Sequence, residues 1–345
     1  MAKIYAGLDI GSYEIKLVEV RKSGRQQIIS QTAVVRTPMG SVERSQVLDV
    51  ELVIDAVQSM LVESPLSTDK VVIGITSPEV VVKTVQMPLM PPKELEHALQ
   101  FELPDIVRFP FESLKDITYS WEVLEKSERY QEILVVACRR SLIAPYIEIA
   151  RRCKLELGVI DLPSFNMPRL FPNEKRVCVV DVGAVQTSVY VAEEGYYKVY
   201  RILPIGGQDI TNGVMEAFSC DYETAERLKS QHHIDTLLTE GAGSKRLLRS
   251  AIQQFVGGIL QTLEFLRAED RLTNVRDAVS EVHLCGGTSL LKGFADVLTE
   301  ELGVKVSEIN PFSLYPLQQD GAELDGLGPI MVPALALALR GLEEK

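Results

Sequence analysis

The 345-residue sequence has no apolar run approaching the roughly 20 residues that a membrane-spanning helix needs. The apolar stretch from Ile330 to Leu339 is far too short for that and reads as a buried helix. Basic charge is also in deficit, with 36 Lys and Arg against 48 Asp and Glu and a net charge of −12. That balance speaks against non-specific binding to nucleic acid or anionic lipid, which carry the same sign of charge. Any membrane association is therefore expected to run through another protein, without direct insertion. The five cysteines, Cys138, Cys153, Cys178, Cys220 and Cys285, form no Cys-x-x-Cys pair, and the four histidines have no metal-ligand spacing with them. They read as reduced thiols in a cytosolic core. Met1 to Gly11 carries one lysine, and Asp9 interrupts its apolar run, so no signal peptide is expected and the mature chain is expected to start at Met1. What is present is an ordinary globular composition, 46% hydrophobic and 24% charged, long enough for about two domains.

One internal repeat organises the chain. IYAGLDIGSYEIKLVEV stands near the start, and RVCVVDVGAVQTSVYVAEEG begins at Arg176. Each reads as an apolar strand, an Asp-x-Gly turn and a second strand of alternating pattern. Glycine lets the backbone approach a ligand closely, and successive N–H groups at such a turn can face phosphate. Either copy alone could be a plain hairpin, because Asp-Gly and related pairs are common turn formers. Two copies, with Asp9 and Asp181 about half a chain apart, are harder to dismiss. A pseudo-symmetric pair of α/β domains would bring both hairpins to one cleft, with two carboxylates near one polyphosphate and its Mg²⁺. Magnesium prefers few carboxylates, with water and phosphate oxygens completing its shell.

Two further elements fit that cleft. VHLCGGTSLLKGF reads as a strand followed by Gly286, Gly287 and Thr288 and then a helix, whose N-terminus would offer a positive dipole end. A simple strand-to-helix turn is the competing account, and the lesser one once both hairpins are granted. Glu226 and Lys229 stand three apart and would share a helix face, which a surface ion pair also explains.

These residues carry a resemblance. GLDIGSYEIKLVEV, MPLMPPKELEHALQFELPDIVRFPFE, VIDLPSFNM, VVDVGAVQTSV, LPIGGQDIT, HLCGGTSLLKGF and GPIMVPALALALRG together resemble the PilM family of the type IV pilus inner-membrane platform, with FtsA as a relative. The resemblance implies an α/β, duplicated ribonuclease-H-like (actin-like) fold with an inserted FtsA-type 1C subdomain. It divides the chain into subdomain 1A (1–70), the insert (71–157), a connecting helix region (158–175), 2A (176–207), 2B (208–275) and a last segment (276–345) completing 2A and returning a helix to 1A. It implies ATP with Mg²⁺ as cofactors. Asp9 and Asp181 would lie near the metal, in part through water. Gly11, Ser12, Tyr13, Lys16, Gly183, Thr187, Gly207, Gly286, Gly287 and Thr288 would line the nucleotide, and Glu226 and Lys229 would hold the ribose hydroxyls. Asp161 is the candidate to orient an attacking water, with a helix N-cap as the competing account. Only weak or conditional ATPase activity is expected, since a site can hold ATP well yet hydrolyse it slowly.

Within the insert the pattern is strand, strand, helix, strand, strand, helix. Its first helix is expected from Pro92 to about Glu102, with DIVRFPF as a shaped loop because proline fixes φ and removes a donor. By resemblance, the groove between insert and first subdomain accepts the N-terminal cytoplasmic peptide of a PilN-like bitopic membrane protein; alternatively the insert merely packs on the first domain. Other pilus platform and motor proteins, and self-association, are further implied partners. The expected location is cytoplasmic, peripheral to the inner membrane through partners. ALALALRGLEEK at the end lacks the basic face of a membrane-surface helix. That favours PilM over FtsA, and a missing membrane helix favours it over the L-type proteins of type II secretion. A small-molecule kinase would need a substrate loop with an aspartate base, and none is evident.

Overall fold

In a computed structural model, residues 2–107, 109–318 and 326–344 are described. The chain opens with an antiparallel meander, β1 (Lys3–Ile10), β2 (Glu14–Ser23) and β3 (Gln26–Arg36). A short hairpin, β4 (Val42–Glu43) and β5 (Gln46–Val47), leads to α1 (Val50–Glu63), which Asp49 caps by accepting from the Glu51 and Leu52 amides. Then β6 (Lys70–Gly74) lies parallel to β1. The insert follows, with β7 (Val81–Pro88), α2 (Pro92–Ile106), β8 (Ile117–Lys126) and β9 (Tyr130–Arg139). After α3 (Arg140–Arg152), β10 (Glu156–Asp161) returns beside β6, and α4 (Pro163–Asn166) with a 3₁₀ turn links to the second half.

The second half repeats the plan. Its meander is β11 (Arg176–Val182), β12 (Thr187–Glu193) and β13 (Tyr196–Leu203). Helices α5 (Gly207–Phe218), α6 (Tyr222–Gln231), α7 (Ile234–Thr239) and α8 (Arg246–Glu269) come next, then β14 (Glu281–Cys285), α9 (Phe294–Leu302), β15 (Lys305–Glu308), α10 (Pro311–Leu314) and α11 (Gly328–Gly341). The two large sheets have the same order, β3-β2-β1-β6-β10 and β13-β12-β11-β14-β15, each with an antiparallel meander on one side and two parallel strands on the other. The duplication visible in the two hairpins therefore extends to the whole of each sheet.

The insert is narrower than 71–157. The strands β6 and β10 pair within the first sheet, and α3 packs Leu142, Tyr146, Ile149 and Ala150 into that sheet's core. A separate antiparallel sheet, β7-β9-β8, carries α2 through Leu95, Leu99 and Ile106 against Ile133, Val135 and Ala137. Apolar strands of the sheet and of the insert look alike in sequence, and only pairing sorts them. Helix α2 also runs to Ile106, past the expected end near Glu102, with Pro104 inside it. A proline in the last turn forfeits one intrahelical bond, and the Val107 amide still closes the helix on Leu103 O at 2.9 Å. Arg108, in the DIVRFPF segment, lies outside the described residues.

Between the halves lies α11, buried on every face, so its alternating Ala and Leu residues have no polar side. It shares a core with Tyr5, Val18 and Val72 of the first half and with Val177, Val179 and Cys285 of the second. Its alanines permit direct contact with the β1 backbone. A Cβ built at Gly7 would stand 2.0 Å from Ala334 O and 2.6 Å from the Ala338 amide. Pro333 has no N–H, so it cannot bond Pro329 O in the usual i→i−4 manner, and Pro329 O instead accepts from the Gly286 amide at 3.1 Å. The helix thereby holds the Gly-Gly turn of the second half.

Gly7→Ala is expected to destabilise the protein by about 1–3 kcal/mol through overpacking, read as a lower urea midpoint. An unchanged midpoint contradicts the close packing of β1 on α11.

Candidate nucleotide cleft

Both hairpins open onto one cleft of about 480 Å³ between the halves. Each is closed in the same way, by Gly11 N donating to Glu14 O at 3.1 Å and Gly183 N donating to Gln186 O at 3.0 Å. The tip residues Ser12, Tyr13, Ala184 and Val185 line the cleft. Asp9 and Lys16 are directly opposed across β1 and β2, and Lys16 Nζ lies 2.6 Å from Asp9 Oδ2. Asp181 occupies the matching place on β11 and also lines the cleft.

Four charged groups, Asp9, Glu14, Lys16 and Asp181, share this end. Burial raises the Asp181 carboxyl from 3.8 to about 6, and the charge of Asp9 adds to the rise while Lys16 opposes it. Burial works to lower the Lys16 ammonium, but the charge and hydrogen bond of Asp9, helped by Asp181 and Glu14, outweigh it and hold the group above its ordinary value. Glu14, two residues before Lys16 on the same face of β2, is raised by burial, partly offset by Lys16 and reinforced by Glu226.

At the other end Glu226 and Lys229 share a face of α6, with Lys229 Nζ 2.6 Å from Glu226 Oε1. Lys229 also donates to Thr211 Oγ1 at 2.8 Å and to Gly207 O at 3.3 Å, and burial lowers its pKa against the pull of Glu226. Thr211 Oγ1 donates to the same Glu226 oxygen. Tyr13, from the first hairpin, donates to Glu226 Oε2 at 3.3 Å across the cleft, with the Arg36 guanidinium 3.5 Å over its ring.

The floor comes from the strand β14 and the turn after it. Gly286 has φ +86, and a Cβ there would stand 2.5 Å from Asp181 Oδ1, so only glycine fits. Thr288 donates to Gly183 O at 3.2 Å. The helix expected directly after Gly287 is a 3₁₀ turn, Gly287–Leu290, and α9 begins only at Phe294. No α-helix dipole therefore starts at the Gly-Gly pair. Gly207 does begin α5, but its amide and that of Gln208 are taken by Gly183 O and Ala184 O at 2.9 and 2.8 Å. Leu290, Leu291, Leu327, Ile330 and Pro333 supply an apolar wall.

The cleft thus gathers Asp9, Gly11, Ser12, Tyr13, Lys16, Asp181, Gly183, Gly207, Glu226, Lys229, Gly286, Gly287 and Thr288. Two expected residues lie elsewhere. Thr187 is fully buried and donates to Ile205 O at 2.8 Å, because strand alternation turns it to the core while Gln186 and Ser188 face the cleft. Asp161 is absent from the cleft lining; its Oδ2 lies 3.3 Å from Arg340 Nε and its Oδ1 accepts from the Leu162 amide at 2.7 Å. It caps neither Phe165 nor Asn166: the Phe165 amide bonds Leu162 O. The reading missed Glu14, Ser45, Thr76, Gln186, Ser188, Gln208, Tyr222 and Ser230. Parity along β2 and β12 could have revealed Glu14, Gln186 and Ser188; nothing in the local sequence marks Ser45 or Thr76.

Among the described residues, no three His, Cys, Asp or Glu side chains gather to hold a metal unaided. Two carboxylates flanking a cleft fit a magnesium ion that takes most of its ligands from water and phosphate. A divalent cation would also offset the buried charge of Asp181.

Two like-built α/β halves closing on one cleft define the actin-like ATPase fold. The chain belongs to the type IV pilus assembly protein PilM family, whose sequence model matches residues 7–342. A solved PilM-PilN type IV pilus biogenesis complex is similar with a TM-score of 0.84 at 25% identity, covering 99% of both chains. The ethanolamine utilization protein EutJ from Carboxydothermus hydrogenoformans reaches 0.59 at 16% identity, covering 98% of this chain and 89% of its own. MreB5 of Spiroplasma citri bound to AMPPNP reaches 0.54 at 11% identity, covering 96% and 94%. These last two show the fold alone. Cell division protein FtsA of Pseudomonas aeruginosa is 24% identical over 232 residues, 62% of this chain and 54% of that protein. FtsA of Staphylococcus epidermidis is 23% identical over 216 residues, 58% and 47%. The chain spans about half the length of the curated relatives it matches.

The raised Asp181 value sets a pH dependence. The folded protein holds this proton up to about pH 6 and the unfolded chain only to about 3.8, so the group favours folding at acid pH and that contribution is lost as pH rises through about 6. Asp181→Asn is expected to stabilise the unliganded protein by on the order of 1–3 kcal/mol at about pH 7.5, by roughly a third of that at about pH 4.5, and to lose its effect as pH falls below the unfolded value of 3.8. Equal melting shifts at both pH values contradict the assignment.

Proposed function

We propose that this protein binds ATP with Mg²⁺ in the cleft and acts as a nucleotide-dependent scaffold of type IV pilus assembly. The observation that carries the reading is the pair of like-built hairpins, with Asp9, Lys16 and Asp181 gathered at their tips. In this reading the polyphosphate lies between the hairpins, where tip amides donate to its oxygens. Lys16, now on Asp9, would donate to the phosphates, and Asp9 and Asp181 would hold the metal, in part through water. Magnesium, when bound, supplies charge neutralisation of the phosphates. Glu226 and Lys229 hold the ribose hydroxyls, Glu226 exchanging its bond from Tyr13 for one from the sugar, and the apolar wall receives the base.

The insert supplies the partner surface. Its strands β7 and β8 are the edges of a three-stranded sheet, and Leu89 and Phe101 are 49% and 85% exposed. An extended peptide suits such a place, because its backbone can pair with an edge while alternate side chains fill pockets. The similar PilM-PilN complex supports a PilN-like partner, and in this reading the peptide is the cytoplasmic N-terminus of that membrane protein. No helix among the described residues is long and apolar enough to cross a membrane, so this peptide would be the tether to the inner membrane.

Lys16→Ala is expected to weaken Mg-ATP binding by about 1–3 kcal/mol, the scale of losing a charged hydrogen bond. Unchanged affinity by calorimetry sinks the role of Lys16. A synthetic peptide copying the PilN N-terminus is expected to bind the purified chain in titrations run with and without ATP. Absence of binding in both states, together with filaments by electron microscopy, favours a self-assembling role like that of FtsA.

A further inference from the structure

Gln186 stands at the tip of the second hairpin but is not used by the nucleotide reading above. Its backbone is fixed, because its carbonyl accepts from Gly183 N at 3.0 Å. Its side chain is 9% exposed, lines the cleft and crosses to the other half, where Nε2 donates to Thr76 O. That donation fixes the amide orientation and leaves Oε1 as the remaining acceptor. Among the described residues Oε1 is buried with no hydrogen-bond partner. A buried acceptor without a donor is uncommon in native proteins and calls for a ligand or an ordered water.

Phosphate oxygens of a bound nucleotide are acceptors and cannot satisfy another acceptor. The donors that a magnesium-bound polyphosphate brings to the hairpin end are the waters around it. Gln186 shares its hairpin with Asp181 and Gly183, whereas the ribose hydroxyls would lie toward Glu226 and Lys229. A nucleotide-borne water therefore matches the free Oε1.

The other end of the side chain reaches a consequential place. Thr76 follows β6 and precedes β7, at the root of the insert. The same connection is tied down by Ile75 N donating to Asp161 O at 3.0 Å, by Thr76 N donating to Ser45 Oγ at 3.4 Å and by Gln46 donating to Glu79. We propose that Gln186 couples the cleft to the insert, its Oε1 accepting from a water held by the magnesium–nucleotide complex and its Nε2 holding the Thr76 carbonyl from which the insert departs. A single amide then touches the nucleotide's hydration shell on one side and the partner-binding unit on the other. This rests on the cleft binding Mg-ATP. It adds a positioning residue, contributed by the second half, that acts on the first.

The test is hydrogen exchange of amides 77–88 with and without saturating Mg-ATP, alongside calorimetric affinity. The wild-type protein is expected to gain protection there when nucleotide binds. Gln186→Met keeps the side-chain volume but removes donor and acceptor; it is expected to raise the Kd about fivefold, the scale of one neutral hydrogen bond, and to lose the protection gain even at saturation. Gln186→Ala replaces it if Q186M loses its cooperative melt. Lys229→Ala, which acts at the ribose end, is expected to weaken binding yet keep the gain at saturation, separating coupling from affinity. A protection gain in saturated Q186M equal to wild type overturns the coupling. So does a wild-type protein that binds Mg-ATP without any change in these amides, which leaves the nucleotide reading intact. A wild-type protein that does not bind Mg-ATP overturns both.

Discussion

The arrangement depends on one buried helix. The helix α11 touches the β1 backbone at Gly7 closely enough that any side chain there would collide with it, and it shares a core with both sheets. Alanine at Ala334 and Ala338, one turn apart on the same face, makes this approach possible, and the neighbouring leucines fill the volume on either side. At its N-terminal end Pro333 frees the Pro329 carbonyl for Gly286, so the helix that seats the first sheet also holds the floor of the cleft. The relative position of the two hairpins is in this sense a packing property of α11.

Given that frame, the cleft concentrates charge that it only partly balances. Lys16 sits against Asp9, while Asp181 is left with a carboxyl pushed up to about 6 by burial and by its like-charged neighbour. Sites of this kind favour ligands that bring both positive and negative charge, as a magnesium–polyphosphate complex does. One side chain from each hairpin tip reaches across to the other half. Tyr13 reaches Glu226 in the second half, and Gln186 reaches Thr76 in the first. In the proposed reading the first contact would compete with a ribose for Glu226, and the second would persist when a nucleotide enters.

Much of this was legible in the sequence because the informative patterns were local. An apolar strand into Asp-x-Gly, repeated half a chain later, pointed to both hairpins, and the i,i+3 spacing put Glu226 and Lys229 on one face of α6. One feature was legible but passed over by motif matching: strand parity turns Gln186 and Ser188 toward the cleft and Thr187 away from it. Two things were not legible. Asp161 ends a strand beside β6, and only the fold shows that Arg340, far along the chain, engages it. The insert's limits depended on which apolar strands paired in which sheet, a long-range fact that β6 and β10 do not carry in their composition.

The central claim is that two hairpins built alike hold one polyphosphate from opposite sides. A structure of the protein with Mg²⁺ and a non-hydrolysable ATP analogue tests it most directly. The account predicts phosphate oxygens within hydrogen-bond distance of backbone amides from both hairpin tips, with Lys16 turned from Asp9 to the phosphates. A nucleotide held by one hairpin alone, or bound outside this cleft, would contradict it.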